Sequence, residues 1–303
     1  MTEERKGHPV ARRVATALAA AAGVVALFLW CPLQALPPLV VILSALAQLE
    51  FYQMVGRAGY ACHPRFGILL GTLWLAVTAA FGGPEGFALC AMYGALALAP
   101  MLFYFSVRVM FSTSSTRPLG SIAVTLLGFF YVPFLMSFFL RIVQLNAHGR
   151  FMPDSRVGLY TLFALLAVAK LSDMGGFALG MAFGRHKMCP SISPKKSWEG
   201  FAGSVLGAVL MALLFREVAA RSDWAVDCAI WDHATIPVTV VAGIAIAALG
   251  TLGDLIESRF KRECGVKDSA TFMPAGMGGF LDMFDSILFI PALFYPFIVF
   301  CSR

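Results

Sequence analysis

Long apolar runs alternate with short polar segments along almost the whole chain. The runs lie at residues 14–30, 38–55, 66–83, 87–106, 119–141, 158–183, 201–219, 236–256 and 280–301. A helix needs about 20 apolar residues to cross the hydrocarbon core of a bilayer, and within lipid it satisfies all its own backbone hydrogen bonds. The pattern therefore predicts an all-α, polytopic integral membrane protein with about nine transmembrane helices.

The composition supports this prediction. Hydrophobic residues make up 59% of the 303 residues and charged residues only 13%, whereas soluble domains carry about 25% charged residues. A net charge of +6 also suits a nucleic-acid binder, but the basic residues lie in short loops between apolar runs. We therefore expect membrane lipid, and no nucleic acid, as a partner. The seven cysteines form no CxxC pair and no cysteine-histidine cluster, which argues against a zinc site and against a disulfide framework.

The apolar runs are predicted to form one membrane-embedded domain over residues 1–303, with N-terminal helices over about 1–150 and a second set of helices and polar loops over about 158–303. The first run follows basic residues, as in a signal peptide, but it is too long for one and is predicted to be the first span. With the N-terminus inside, the inner segments hold sixteen of the 23 lysines and arginines and the outer segments hold six. This excess predicts that the N-terminus and the polar loops are cytoplasmic. The membrane itself is expected to be a bacterial-type inner membrane.

The polar stretch with the most acids runs from Gly253 to Ser286 and joins the last two apolar runs. Spacing of i, i+3, i+4 and i+7 puts four of its residues on a single helix face: Asp254, Glu257, Ser258 and Lys261. The next apolar run begins with similar spacing of Asp282, Asp285 and Ser286. Each acid inside a membrane helix costs roughly 2.5 to 3.5 kcal/mol on insertion scales. Several acids together require a compensating partner or cation, and we predict a bound divalent metal.

Two further acids lie inside apolar runs. Asp173 follows Lys170 by one helical turn within a glycine-rich segment. It is either the partner of that lysine beside a small-residue helix seam or an additional acid in the polar cavity. Glu50 stands alone in the second apolar run. It is either a snorkelling or hydrogen-bonded interior residue or a functional acid.

A basic loop, SPKKSWEG from Ser193 to Gly200, precedes the seventh apolar run. Basic loops in membrane proteins usually mark topology, so Lys195 and Lys196 serve either that purpose or phosphate binding. Two nearby prolines favour a shaped loop. A helix that starts at Ser197 adds backbone donors for an anion. Lysines beside a helix start favour a phosphate.

These polar segments resemble those of the phosphatidate cytidylyltransferases, also called CDP-diacylglycerol synthases. The family has an aspartate, a glycine-rich helix and an SPKK(T/S)WEG loop, which this chain matches over Asp173–Gly200. The family signature GDLxESxxKRxxGxKD occurs without a gap over Gly253–Asp268. The end of the signature departs from the family pattern, because one residue is inserted, Met277 replaces the usual histidine and Met283 replaces the usual arginine.

The resemblance implies transfer of a cytidylyl group. Such enzymes join phosphatidate to CTP, release pyrophosphate and leave CDP-diacylglycerol in the membrane, as a step of phospholipid biosynthesis. A phosphate oxygen of the lipid attacks the α-phosphorus of CTP. No protein nucleophile is needed for this step, so positioning and charge neutralisation carry most of the catalysis.

The resemblance also implies roles for individual residues. Asp254 and Asp282 flank a two-cation site, with Mg²⁺ and a second, monovalent cation such as K⁺, and Asp285 is a further metal ligand. Catalysis is assigned to Asp254, Asp282, Lys195, Lys196, Lys261 and Arg262, and binding of substrate or cation to Asp173, Ser193, Ser258, Lys267 and Asp268. The basic members hold the triphosphate and the lipid headgroup against their mutual repulsion.

Three other functions stay open at this point. A CTP-dependent lipid kinase hands the γ-phosphate to a lipid alcohol, but the intact motif blocks favour cytidylyl transfer. A transporter or ion-binding protein also carries intramembrane acids, but lysine-rich cytoplasmic loops suit a nucleotide better. Met277 and Met283 are compatible with a catalytically degenerate relative. The sequence leaves the acyl-chain preference and the oligomeric state open, a homodimer included.

Overall fold

The computed structural model describes residues 33–81, 87–111, 118–145, 157–221, 235–266 and 279–301. After a 3₁₀ turn at Leu33–Ala35, the helices are α1 Leu36–Arg57, α2 Pro64–Phe81, α3 Phe87–Phe111, α4 Pro118–Phe129, α5 Leu135–Val143, α6 Val157–Phe183, α7 Trp198–Arg221, α8 Ile236–Glu263, α9 Phe280–Phe284 and α10 Phe289–Cys301. A π-helical turn, Phe130–Phe134, joins α4 to α5. The strands β1 Lys187–Cys189 and β2 Ser193–Ser197 form a hairpin between α6 and α7.

Seven helical segments of the described ranges are long and apolar enough to cross a membrane. They are Leu36–Arg57, Pro64–Phe81, Pro118–Val143, Gly158–Phe183, Trp198–Arg221, Ile236–Glu263 and Phe280–Val299. These segments confirm the prediction of an all-α polytopic membrane protein. Helix α3 contributes a shorter apolar piece, Gly94–Phe105, and the first predicted span, 14–30, lies outside the described residues. The count of nine and the division into domains stay predictions.

Helix α8 extends beyond the apolar run that predicted it. The run ends at residue 256, whereas the helix continues to Glu263. A proline lies in the first turn of α8, where a missing amide hydrogen sacrifices no helical hydrogen bond. Because the extension is helical, Asp254, Glu257 and Lys261 lie on one face, as the spacing predicted.

Helices α6 and α7 pack closely along a seam of glycines. A Cβ atom on Gly175 would collide with the backbone carbonyl of Gly203, and a Cβ atom on Gly203 would collide with that of Gly175. A Cβ atom on Gly176 would likewise collide with the side-chain hydroxyl of Ser204. Small residues allow membrane helices to approach at this distance. The seam therefore fixes the start of α7, and the hairpin before it, against α6.

The two largest of the three apolar clusters in the described part of the chain hold the helices around the site together. The larger cluster joins the five helices α5, α6, α7, α8 and α10, and its members Leu165 and Ile246 are completely buried. The second surrounds α1 and includes Phe51, Leu281 and Leu288. The second cluster thus packs the N-terminal helices against the short acidic helix α9.

Candidate active site

A cavity of about 650 Å³ opens between α6, the hairpin, α7 and α8. Its polar lining comes from all the predicted motif segments: Asp173, Lys187, Lys195, Lys196, Ser197, Ser204, Thr251, Asp254, Asp285 and Ser286. Its large apolar lining residues are Phe177, Met181, Met188 and Phe201. The cavity therefore combines charged groups of both signs with an apolar wall.

Three carboxylates converge beside this cavity. Oxygen atoms of Asp254, Glu257 and Asp285 all lie within 4.8 Å of one another. Asp254 and Glu257 are one turn apart on α8, and Asp285 directly follows α9. Glu257 is fully buried and the other two are partly buried. The chemistry of this donor set fits a hard divalent cation, which prefers carboxylate oxygens.

Lys196 faces this acidic cluster from the hairpin. Its Nζ lies 2.8 Å from Oδ2 of Asp254 and donates to the carbonyl oxygen of Thr251 at 2.9 Å. The lysine side chain is 20% exposed and lines the cavity. A phosphate oxygen that enters the cavity can therefore share this ammonium group with Asp254.

The β-hairpin determines where Lys196 stands. Its strands pair antiparallel, and Ser193 begins β2 opposite Cys189. At the end of β2, the Oγ of Ser197 accepts a hydrogen bond from the backbone N–H of Gly200 at 3.1 Å. This bond caps the N-terminus of α7, where the sequence predicted a helix start. The predicted shaped loop is thus a hairpin that leads directly into a capped helix.

A second lysine, Lys261, does not line the cavity. Its Nζ lies 2.8 Å from Oε2 of Glu257 and donates to Oδ1 of Asp282 at 2.9 Å. The other oxygen of Asp282 accepts from the backbone N–H of Gly279 at 2.7 Å. Among the described residues, the three-carboxylate cluster does not include Asp282. Its predicted ligation of a metal together with Asp254 stays a prediction.

Asp173 combines the two arrangements that the sequence left open. Lys170 lies one turn away, with 3.7 Å between its Nζ and Oδ2 of Asp173. The same oxygen accepts a hydrogen bond from the hydroxyl of Ser286 at 3.0 Å. Asp173 also lines the cavity together with Asp254 and Asp285. It is therefore both the neighbour of Lys170 and an acid of the cavity.

The remaining predicted residues that the structure describes lie around the edge of the site. The hydroxyl of Ser258 donates to Oδ1 of Asp254 at 3.3 Å. The Nε of Arg262 donates to the carbonyl oxygen of Ile192, in the hairpin turn, at 3.4 Å. Lys195 lines the cavity and is exposed. Three positions lie outside the described residues: Lys267, Asp268 and Met277.

Comparison with known proteins identifies the family. A model of the cytidylyltransferase family matches residues 11–301. The chain belongs to this family. It is 29% identical to a phosphatidate cytidylyltransferase of Mycobacterium bovis over 265 residues, which cover 82% of this chain and 76% of that relative. These findings confirm the resemblance that the motifs indicated.

Shorter matches join this cytidylyltransferase to other bacterial relatives. A phosphatidate cytidylyltransferase of Chlamydia trachomatis is 31% identical over 201 residues, which cover 65% of this chain and 62% of the relative. One from Staphylococcus epidermidis is 42% identical over 131 residues, which cover 43% of this chain and 45% of the relative. Identity is thus higher over the shortest of these matches.

Several groups of this cytidylyltransferase site were missing from the predicted set, Glu257 and Thr251 among them. Glu257 belongs to the acidic cluster, and the helical spacing had already placed it on the face of Asp254 and Lys261. Its complete burial depends on tertiary packing, which spacing does not show. Thr251 contributes only a backbone carbonyl to Lys196, so no side-chain pattern marks it.

Proposed function

We propose that this cytidylyltransferase joins phosphatidate to CTP, releases pyrophosphate and leaves CDP-diacylglycerol in the membrane. The observation that carries the proposal is the cavity in which Lys196 faces Asp254 and Asp285. An acidic cluster suits a hard cation, and lysine suits a phosphate as a point charge. A triphosphate with its metal requires both. The curated relatives of this chain are named for the same activity.

We assign Mg²⁺ to the carboxylates of Asp254, Glu257 and Asp285. Four acids lie in contact with each other or with two lysines: Asp254, Glu257, Asp282 and Asp285, against Lys196 and Lys261. With all six groups ionised, two negative charges are in excess, which is the charge that a divalent cation balances. When bound, Mg²⁺ neutralises charge on the phosphates. From the family pattern we also propose that Asp282 is a metal ligand. The same pattern implies a second, monovalent cation such as K⁺.

The residues of the chain position two anions that repel each other. Lys196 donates to a phosphate oxygen from the cavity wall, with Lys195 beside it on the same strand. The lipid phosphate is already ionised, so its oxygen attacks the α-phosphorus of CTP without a protein base. The bond from that phosphorus to the β-phosphate oxygen breaks, and pyrophosphate leaves with the oxygen. Lys261 keeps Glu257 and Asp282 in place during the step.

We infer that the cavity opens to the cytoplasm of a bacterial-type cell. Sixteen of the 23 lysines and arginines fall on the predicted inner side, which includes the hairpin and the end of α8. CTP is available on that side. The lipid product then remains in the inner membrane in which the protein lies.

Two forms of labelled CTP test the proposal. Purified protein receives phosphatidate, MgCl₂ and CTP that carries ³²P at either the α or the γ position. We expect the α-label to enter the lipid fraction and the γ-label to leave as pyrophosphate. Transfer of the γ-label to added diacylglycerol would instead show a CTP-dependent lipid kinase. A folded wild-type protein that transfers neither label contradicts the proposal and indicates a degenerate relative.

A further inference from the structure

Glu50 is a buried acid of α1 that the proposed chemistry does not use. Its side chain has 0% relative exposure. Its Oε2 accepts a hydrogen bond from the backbone N–H of Leu281 at 3.0 Å, although 231 positions separate the two residues. Acids inside membrane helices are costly and usually functional. A specific long-range contact from such an acid therefore calls for a role.

The contact lies in the first turn of α9, next to the acids of the active site. The first amide groups of a helix have no acceptor within the helix. In α9 two carboxylates supply acceptors: Asp282 binds the N–H of Gly279, and Glu50 binds that of Leu281. A side-chain oxygen that accepts from such an amide satisfies a donor that the helix itself cannot satisfy, and so stabilises the helix start. Since α9 has only five residues, both bonds act on its single turn.

Apolar packing supports the same connection. Leu281 is 1% exposed and belongs to one cluster with Phe51, the neighbour of Glu50 in α1. The residue after Leu281 is Asp282, which holds Lys261, and Asp285 follows three positions later in the carboxylate cluster. A shift of this turn would therefore move both aspartates relative to α8.

We propose that Glu50 is a positioning residue. Its carboxylate fixes the first turn of α9 and so determines where Asp282 and Asp285 stand relative to Asp254 and Glu257. This inference rests on the proposed function, because it concerns the same cation site. It gives the N-terminal helices a direct part in building that site.

Binding of Mn²⁺, followed by electron paramagnetic resonance, tests the inference without relying on turnover. The full-length protein in detergent is titrated as wild type, E50L, E50Q and Q48L. E50L removes the acceptor and keeps a similar volume, whereas the amide oxygen of E50Q can still accept from Leu281. Q48L is the matched control, because Gln48 is also buried in α1 but donates to the carbonyl oxygen of Gly67 in α2, at 3.0 Å.

We expect E50L to weaken Mn²⁺ binding about tenfold or more, as for residues that orient metal ligands, and E50Q to stay within about threefold of wild type. The Mg²⁺ concentration for half-maximal turnover should rise by a similar factor in E50L. Q48L should lower thermal stability without changing either value. Wild-type Mn²⁺ affinity in E50L overturns the inference, and so does equal weakening in E50L and Q48L.

Two further outcomes are also decisive. If E50L does not fold, E50D replaces it. The aspartate side chain is one methylene shorter, so its carboxylate lies further from the N–H of Leu281. The inference then requires weaker Mn²⁺ binding in E50D than in E50Q. A wild type that binds Mn²⁺ but forms no CDP-diacylglycerol refutes the proposed function and leaves Glu50 to be judged on Mn²⁺ alone. A wild type that binds no Mn²⁺ overturns the inference, while the labelled-CTP assay still judges the function.

Discussion

Lys196 and Lys261 each hold an aspartate, but in different surroundings. Lys196 contacts Asp254 at the wall of the cavity, and this aspartate is 38% exposed. Lys261 lies between Glu257 and Asp282, away from the cavity, and the side chain of Glu257 is completely buried. We call the first contact the outer pair and the second the inner cluster.

The difference in exposure indicates different roles. An ion pair that is partly open to solvent contributes less to stability than a buried one, so a phosphate or a cation can replace either partner of the outer pair at smaller cost. Removal of one member of a buried ion pair leaves an uncompensated charge and destabilises the fold. We therefore expect the outer pair to act in binding and catalysis, and Lys261 of the inner cluster to hold α8 and α9 together beside the proposed metal ligand Glu257.

Lys261→Met should give the largest change, and it should be a change in stability. The variant removes the ammonium group that pairs with the buried carboxylate of Glu257. Removal of one partner of a buried pair typically costs about 3–5 kcal/mol. Thermal unfolding in detergent measures the loss. The double variant E257Q/K261M should recover part of it, because the buried carboxylate is also gone. Unchanged thermal stability in K261M would place Lys261 with the outer pair.

Asp254→Asn should produce the largest loss of turnover among the outer residues. The amide keeps the shape of the side chain but removes the negative charge that Lys196 and a cation contact. The rate of CDP-diacylglycerol formation should fall at least about 100-fold, the upper end of the range for residues that only orient a ligand. Its melting temperature should stay close to that of the wild type. A rate above about a tenth of wild type contradicts direct ligation.

The lysine pair of the hairpin should follow with a smaller loss. If Lys195 and Lys196 only mark topology, K195R/K196R keeps the charge and is silent. If the phosphate site instead needs a compact ammonium group, the bulkier planar guanidinium groups impair it, and we expect this variant to lose most activity, about tenfold or more, with normal membrane insertion. The labelled-CTP assay and a protease-accessibility test of topology measure the two properties separately. Full activity in K195A/K196A would remove the hairpin from the site.

Local patterns predicted the helices and much of the candidate site. The run lengths indicated the spans, and helical spacing placed Asp254 and Glu257 on one face, because both signals depend on residues close in the chain. Spacing alone did not distinguish Asp282 from Asp285 as the neighbour of that face. Both stand near the start of one apolar run, and the approach of α9 to α8 brings Asp285 to the other two carboxylates and Asp282 to Lys261.

The contact of Glu50 with Leu281 was beyond prediction for a related reason. The sequence marked the acid as unusual but offered no partner, since the two residues are 231 positions apart. The hairpin was likewise predicted only as a shaped loop, because strands of three and five residues are too short for a periodic signal. Tertiary contacts of this kind supply what the local pattern lacks.

Asp173→Asn should have the smallest effect of the four, a loss of turnover of about tenfold. The amide oxygen can still accept the hydrogen bond of Ser286, and Lys170, which is 57% exposed, remains solvated. The fold should therefore persist while the cavity loses one negative charge. K170M is the matched control: if Asp173 only serves as the partner of Lys170, both variants should behave alike. A turnover loss in D173N that K170M does not share assigns the acid to the cavity, and unchanged turnover in D173N assigns it to the lysine.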